Sequence, residues 1–510
     1  MHLFRNIMTV GVWTLLSRIL GMGREVIFYA LIGVGPILDA FIVAFRLPNL
    51  FRRFFAEGAF NAAFVPMLSK RIENGQDPDG FVSQSMGWLA FILIFFTATA
   101  MIFMPALVWA TASGFSQDAR FDLTVQYSRI VFPYIFLVSL AALLSGVLNA
   151  KGHFAMAAAA PIVLNILIIL ALGLAWFSAQ SAITYLVWSI PLAGFVQLIL
   201  LWSMVKKSGI NIKVARPRIS PDMGHLLKVA IPAALANGVV QINLLVGQIV
   251  ASFFPGAVSW LYGADRLYQL PLGVVGIAVG IVLLPELSRR LQANDDIGAK
   301  TAFCRASEIS FALTFPAAVA LFIVPLPLVS ALFEHGATGR SDAEAIAFAC
   351  AIYGLGLPAF ILQKLIQPLY FACEDTKRPF RYAALAMIVN AVLAVGLMPY
   401  LGWISAAVAT SVSSWVMVIL LSNGAHQFGD ITRFDAQIKG RFVRIAIASL
   451  GMGAVLWTSD LYLGPMIETS LMRVVYGAGI IFSGIIIYGI FAQLTGGLAL
   501  RDISRSMRRS

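Results

Sequence analysis

The chain has 510 residues, of which 60% are hydrophobic and 12% are charged, and its mean hydropathy is +0.86. Soluble proteins carry about 25% charged residues, so this composition excludes an ordinary soluble domain and indicates an integral membrane protein. The net charge of +12 is spread over loops and apolar segments and is not gathered on one face, which argues against nucleic-acid binding.

A membrane-spanning helix needs about 20 mostly apolar residues, and the chain contains about fourteen segments of that kind. In chain order they lie near residues 7–31, 37–66, 84–110, 124–149, 155–176, 182–205, 224–251, 257–286, 303–332, 344–371, 380–400, 403–423, 441–459 and 471–495. We therefore predict an all-α polytopic membrane protein with about 14 transmembrane helices.

Eight ionisable residues interrupt the first two of these segments. A charge at the centre of a membrane helix costs roughly 2.5–3.5 kcal/mol, so these residues are expected to line a water-filled cavity or bind a charged ligand. Their net positive charge favours an anion, and the guanidinium group is well suited to bidentate binding of phosphate. The eight are Arg18, Arg24, Glu25, Asp39, Arg46, Arg52, Arg53 and Glu57.

Helical geometry separates the first two arginines. On a regular helix Arg24 points about 120° away from Arg18. Gly21 and Gly23 lie between them and would allow a local break that turns both guanidinium groups toward one ligand.

Other charges of the cluster have local alternatives to ligand binding. Arg53 and Glu57 are four residues apart and could pair on one helix face, a role that we leave open beside substrate contact. Glu25 and Arg46 are likewise expected either in internal pairs or in support of the ligand site. Pro48 is expected to kink the second span.

Lys and Arg residues concentrate in alternate loops, whereas the intervening loops hold little beyond Arg120 and Arg340. Cytoplasmic loops carry the excess of positive charge, so both termini are expected in the cytoplasm. The first apolar run is interrupted by Arg18 and lacks a small-residue cleavage site, which argues against a cleaved signal peptide.

The chain contains an internal repeat. Residues 65–71 match 284–290 at an offset of 219 (Pro66 to Pro285), and residues 148–150 match 370–372 at an offset of 222 (Ala150 to Ala372). Six spans per copy is an even number, so the copies share one orientation, as in the parallel repeats of some secondary transporters. A duplicated bundle without transport activity is the alternative, but it would leave the charges in the spans without a purpose.

The repeat predicts three parts. Residues 1–215 form an N-terminal lobe, residues 216–430 form a C-terminal lobe, and residues 431–510 add two helices and a basic cytoplasmic tail. The copies differ chemically, because amides of the second copy (Asn237, Asn243 and Gln269) stand where the first has Arg18, Arg24 and Arg46. The second copy contributes chiefly Asp265, Arg266 and Lys364.

The sequence offers no catalytic or metal-binding pattern. Cys304, Cys350 and Cys373 are scattered, and the five histidines are equally dispersed. We therefore expect no catalytic residues, no metal and no cofactor, and a transporter rather than an enzyme.

Three segments carry a resemblance to a known family: residues 17–25 (SRILGMGRE), residues 39–60 (DAFIVAFRLPNLFRRFFAEGAF) and residues 262–274 (YGADRLYQLPLGV). With them the chain resembles the MurJ (MviN) lipid II flippase family over essentially its whole length. The resemblance implies two six-helix lobes of the multidrug/oligosaccharidyl-lipid/polysaccharide exporter superfamily plus two C-terminal helices. It also implies a bacterial inner-membrane protein of peptidoglycan and cell-wall biogenesis that moves the undecaprenyl-pyrophosphate-linked precursor to the periplasmic leaflet.

The resemblance further implies residue roles and partners. The family's substrate-binding arginines fall on Arg18, Arg24 and Arg266. The expected partners are lipid II, membrane lipids and proteins of cell-wall synthesis. The residues expected to support or gate the site are Asp39, Arg52, Glu57, Asp265, Glu25, Arg46 and Arg53.

The expected cycle is alternating access, with the long polyprenyl tail left outside the cavity. The two C-terminal helices would form a groove for that tail, as the resemblance implies, or would brace the second lobe. The seventh, eleventh and twelfth spans carry no Asp or Glu, so the choice between a coupling ion and the membrane potential is left open. An exporter of another polyprenyl-linked oligosaccharide or of an amphiphilic drug is the alternative function.

Overall fold

The computed structural model describes residues 2–55, 59–178, 181–213, 216–217, 220–226, 228, 245–278 and 283–497. Over these ranges the regular structure is helical and no strand is present, which confirms the all-α prediction. Among the described residues, ten helices are long and apolar enough to cross a membrane. The count of fourteen stays a prediction: Pro36–Phe55, for example, is helical but carries four charged residues.

The chain divides into two compact units, residues 1–259 and 260–510. The first unit contains nine helices within its described residues, a short 3-10 helix at Ser113–Gln117, and the helical residues 221–226 and 245–252. The nine are α1 His2–Leu31, α2 Pro36–Phe55, α3 Ala59–Glu73, α4 Pro78–Ile102, α5 Met104–Thr111, α6 Arg120–Val131, α7 Tyr134–Ala150, α8 Phe154–Trp176 and α9 Ala182–Lys207.

Helix packing in the first unit follows the apolar faces of these helices. α1 packs on α8, α2 on α6, and α9 on both α7 and α8. Aromatic rings fill part of the core, with the Phe51 ring centroid 5.0 Å from that of Phe96 and 6.0 Å from that of Phe132. Such edge-on pairs add to the stability of a core, in addition to the stabilisation that comes from burying their apolar surface.

The segment that follows α9 packs into the core of the first unit, to which it belongs. Met223 and Leu226 are buried in its core, and the Ser220 hydroxyl donates to Gln84 at 3.1 Å. The Arg71 guanidinium pairs with Asp222 at 2.5 Å. The boundary between the compact units, at residue 259, thus lies later in the chain than the boundary at residue 215 that the repeat predicts. The lobe boundaries at residues 215 and 430 stay a prediction.

The second unit is also helical over its described residues. Its helices are α10 Ala257–Ala278, whose first three residues belong to the first unit, then α11 Leu284–Gln292, α12 Asp296–Ile323, α13 Pro325–Phe333, α14 Arg340–Ala372, α15 Lys377–Gly396, α16 Met398–Leu401, α17 Ser405–Ala425, α18 Ala436–Leu463 and α19 Ser470–Leu494. α14 packs on α12 and α17, and α15 also packs on α17.

The two C-terminal helices pack directly on this unit. α18 lies on α12, and α19 lies on α13 and on α18. Glycines permit the close approach, because a Cβ atom on Gly477 would lie 2.3 Å from the Ala331 Cβ. This packing supports the bracing role, and the tail groove stays a prediction.

Candidate functional site

Arg24 is held inside the first unit by two acceptors. Its side chain is 9% exposed, and its guanidinium donates to the Glu25 carboxylate and, at 3.0 Å, to the Asn165 Oδ1 atom. The guanidinium also lies over the rings of Phe28 and Phe45, at 5.4 and 5.8 Å from their centroids. A buried cation is tolerated only with partners of this kind, so the orientation of Arg24 is set by its surroundings.

Asn165 joins two helices at this point. While its carbonyl oxygen accepts from Arg24 on α1, its Nδ2 atom donates to the Ser17 carbonyl oxygen at 2.9 Å. One amide therefore fixes the Arg24 side chain relative to the preceding turns of α1.

Arg18 lies on a different face of α1 and is exposed, beside Leu15 and Ile19, which are also exposed. α1 is a continuous helix from His2 to Leu31, so the local break that Gly21 and Gly23 would allow is not present. The regular geometry keeps the two guanidinium groups about 120° apart around the helix axis.

Asp39 is fully buried near the start of α2 and acts as a cap for the start of α10. Its carboxylate accepts from the backbone N–H groups of Gly256 at 2.8 Å and Ser259 at 2.9 Å, and from the Ser259 hydroxyl at 2.7 Å. Free N–H groups and a partial positive charge at a helix N-terminus favour a carboxylate. The Tyr29 hydroxyl reinforces the contact by donating to the Ser259 carbonyl oxygen at 2.6 Å.

The arginine that contacts Asp39 is Arg120, a residue that the sequence analysis placed in a loop. It begins α6, its side chain is 3% exposed, and its Nη1 lies 3.4 Å from the Asp39 carboxylate. Two further nitrogens donate to Asp118 at 2.7–3.0 Å, and the guanidinium lies 4.3 Å from the centroid of the Phe115 ring. The hydrogen bonds from Arg120 lower the pKa of the Asp118 carboxyl, which stabilises the ion pair at neutral pH.

Asp39 is one of the residues expected to support or gate the site, either by holding the cluster's arginines in position or by forming a gate pair. Its arginine contact is with Arg120, which lies outside that cluster. The side chain also caps the first turn of α10, so the gate role stays a prediction.

The three arginines of α2 have separate environments. Arg46 is half-buried and donates to the Gln248 Oε1 atom at 3.2 Å. Arg52 lines a cavity of about 320 Å³ inside the first unit, together with the amides of Asn49, Asn165 and Gln197. The Arg53 side chain and all of Glu57 lie outside the described residues, so their pairing stays a prediction.

In the second unit, Asp265 and Arg266 lie on α10 and are both half-buried. The Arg266 guanidinium lies 4.4 Å from the ring centroid of Tyr262, one helical turn earlier. Asp265 accepts a hydrogen bond from Gln269, one turn later. Both charges are thus oriented by neighbours on their own helix. Lys364, on α14, is exposed.

Sequence reasoning missed Asn165 and Arg120. Asn165 carried a signal, because Asn390 follows it at 390 − 165 = 225 residues, close to the offset of the repeat. Arg120 carried none beyond being a lone basic residue in a type of loop that otherwise has few Lys or Arg residues. Within the described ranges, no three His, Cys, Asp or Glu residues are grouped as metal ligands.

The sequence is similar to those of known membrane transport proteins. A family model described as lipid II flippase MurJ matches residues 28–477. A probable lipid II flippase MurJ of Rhizobium tropici is 42% identical, and the alignment covers 100% of this chain and 97% of the relative.

Two solved structures are also similar. A lipid II flippase MurJ in an inward closed conformation has a TM-score of 0.80 and 26% identity, with coverage of 95% of this chain and 98% of that chain. An inward-facing multidrug transporter of the MATE family has a TM-score of 0.68 at 14% identity, with coverage of 84% and 100%, which shows a shared fold alone.

Proposed function

Since this chain belongs to the lipid II flippase MurJ family, we propose that it moves lipid II across the bacterial inner membrane by alternating access. The undecaprenyl-pyrophosphate-linked headgroup passes from the cytoplasmic to the periplasmic leaflet, where it serves peptidoglycan synthesis. The activity is transport, and no bond is made or broken. The observation that carries the proposal is the family match over residues 28–477.

The proposed diphosphate-binding residues are Arg18, Arg24 and Arg266. Charge-assisted hydrogen bonds from guanidinium groups to phosphate are short and geometrically specific, and they are strongest where water is excluded. The buried position of Arg24 supports this role, because Glu25 and Asn165 hold its guanidinium in place before any ligand arrives. Diphosphate oxygens would compete with Glu25 for that guanidinium, so binding would release the Glu25 carboxylate.

Asp39 and Arg120 are proposed to form a gate on the periplasmic side. The excess of positive charge in alternate loops predicts that both termini are cytoplasmic, and in that orientation the start of α2 and the start of α6 would lie at periplasmic ends. The bonds from Gly256 and Ser259 to Asp39 would hold that side closed, and they would break as it opens.

Export of another polyprenyl-linked oligosaccharide or of a drug is the other function of this superfamily that the sequence leaves open. The likeness to multidrug transporters is at 14% identity and concerns the fold. No described contact favours a drug over a diphosphate, and the buried Arg24 favours the anion.

The test is a flipping assay with fluorescent lipid II in reconstituted vesicles. The double variant Arg18→Ala/Arg266→Ala should lose about 100-fold or more in rate, because each charged hydrogen bond contributes roughly 1.5–3 kcal/mol. The matched control is Arg289→Ala/Arg433→Ala, which removes two arginines whose side chains are each 74% exposed. Equal rates in the two double variants would refute the diphosphate site, and a wild-type protein that flips only a non-phosphorylated lipid would refute the proposed substrate.

A further inference from the structure

A second cavity lies at one end of the first unit, outside the proposed diphosphate site. It has a volume of about 710 Å³ and lies between the start of α4 and the end of α9 with the segment that follows it. Both helices are candidate membrane spans, Pro78–Ile102 and Ala182–Lys207, so the cavity lies where two spans leave the membrane. Its size is typical of a small-molecule site.

Four charged side chains of both signs line this cavity: Asp77 and Asp79 at the start of α4, and Lys206 and Lys213 at its other side. In the part of the chain that the structure describes, no ion pair within 4.0 Å involves any of them. The aspartates and lysines therefore line one cavity without forming ion pairs with each other. The space between them can hold a ligand that carries both a positive and a negative group.

The apolar part of the lining indicates the kind of ligand. Trp202 lines the cavity and lies five residues before the last residue of α9. Tryptophan is enriched at the level of lipid headgroups, where its ring contacts acyl chains and its N–H faces polar groups. A ligand with a charged head and an apolar body fits this position.

The cavity wall is already ordered by hydrogen bonds. Asp77 accepts from the Gly80 backbone N–H at 2.9 Å and so caps α4, while the Lys213 backbone N–H donates to the Ser83 hydroxyl at 3.1 Å. The segment that carries Lys213 is thus tied to α4 without help from a ligand. Such preorganisation reduces the entropy that binding would cost.

We propose that this cavity binds the headgroup of a zwitterionic phospholipid, with Lys206 and Lys213 at the phosphodiester, Asp79 at the ammonium group, and Trp202 at the start of the acyl chains. Two lysines and two aspartates balance in charge, so an ethanolamine headgroup is matched at both ends. A glycerol headgroup would bring the same phosphodiester but only neutral hydroxyl groups beyond it, so the aspartates would have no cation to pair with. The site is independent of the lipid II proposal, because it uses none of the same residues.

The experiment is native mass spectrometry of the full-length protein, delipidated in detergent and titrated with phosphatidylethanolamine or phosphatidylglycerol of identical acyl chains. The wild type should retain one phosphatidylethanolamine under collisional activation and bind it at least about five-fold more tightly than phosphatidylglycerol, since only the former satisfies both signs of charge. Preference for phosphatidylglycerol, or no preference, would overturn the proposal.

Substitutions in the lining of this cavity test whether the retained lipid binds there. Lys206→Glu/Lys213→Glu should lose the retained lipid, whereas Lys70→Glu/Lys207→Glu, with the same change in charge at exposed positions outside the lining, should keep it. Asp79→Asn should remove the preference for ethanolamine. If the Glu pair does not fold, Lys206→Gln/Lys213→Gln against Lys70→Gln/Lys207→Gln gives the same comparison. Equal retention in the cavity variant and its control would show that the lipid binds elsewhere.

Discussion

Among the described side chains of the first unit, the arginines Arg24 and Arg120 are buried, and each has one partner that is near in sequence and one that is distant. Arg24 is held by its neighbour Glu25 and by Asn165, while Arg120 is held by nearby Asp118 and by Asp39. Removing one member of a buried ion pair leaves an uncompensated charge, which costs more than the pair itself contributes. Arg120 is therefore predicted to be important for stability although it is not a proposed substrate ligand.

Arg120→Met tests this prediction, because Met keeps the apolar stem and removes the charge. The Asp39 carboxylate would remain buried with its hydrogen bonds from Gly256 and Ser259 alone, at a cost of roughly 3 kcal/mol. We expect a clear drop in the midpoint of thermal unfolding in detergent. Arg289→Met, at a side chain that is 74% exposed, should change the midpoint little, and equal midpoints for both variants would contradict the prediction.

At the scale of elements, small residues decide how closely helices approach. Gly477 on α19 faces Ala331 on α13, where an added Cβ would lie 2.3 Å from the Ala331 Cβ and 3.2 Å from the Pro327 carbonyl oxygen. Neither neighbour can rotate away, because one is a methyl group fixed to the backbone and the other is backbone itself. The docking of α19 therefore depends on this glycine.

Gly477→Ala should destabilise the protein by about 1–3 kcal/mol through overpacking. Gly479, two residues later, has no atom within 4 Å of an added Cβ and supplies the matched control. Gly479→Ala should be neutral or stabilising by up to about 1 kcal/mol, because alanine favours helix. Thermal unfolding of the two single variants makes the comparison, and a Gly477→Ala protein as stable as the wild type would refute the close contact.

The glycines of α1, in contrast to Gly477, are not required for close helix packing. Gly21 and Gly23 have no steric conflict with an added Cβ, and α1 runs through both without interruption. Glycine permits a break but does not impose one, and the packing of α1 on α8 holds the helix regular. Arg18 and Arg24 consequently face different surroundings within the first unit.

At the scale of the whole molecule, the distribution of Lys and Arg predicts the orientation in the membrane, with both termini in the cytoplasm. Ser116 lies in the short 3-10 helix before α6, and Lys207 ends α9; both are exposed. In a Cys373→Ser background, which removes the exposed native thiol, Ser116→Cys should react with an impermeant maleimide in intact spheroplasts. Lys207→Cys should react only after the membrane is opened, and the reverse pattern would contradict the proposed topology.

The sequence predicted the class of fold because that information is local. Length, hydropathy and the absence of charge mark each span without reference to any other, since hydrocarbon requires a helix that satisfies its own backbone. The internal repeat and the charges of the first two spans are visible for the same reason. Residues such as Arg24 and Arg266 could therefore be named as candidates before any contact was known.

Only the tertiary structure decided which charges meet. Arg24 and Asn165 are 141 residues apart, Asp39 and Ser259 are 220 apart, and Arg120 and Asp39 are 81 apart. A pairing of this kind depends on the rotation and depth of each helix against its neighbours, which no local pattern specifies. The sequence by itself thus determined a helical membrane protein with cationic residues in its first spans. Helix packing determined that an amide holds Arg24, that Asp39 caps another helix, and that the buried Arg120 contacts Asp39.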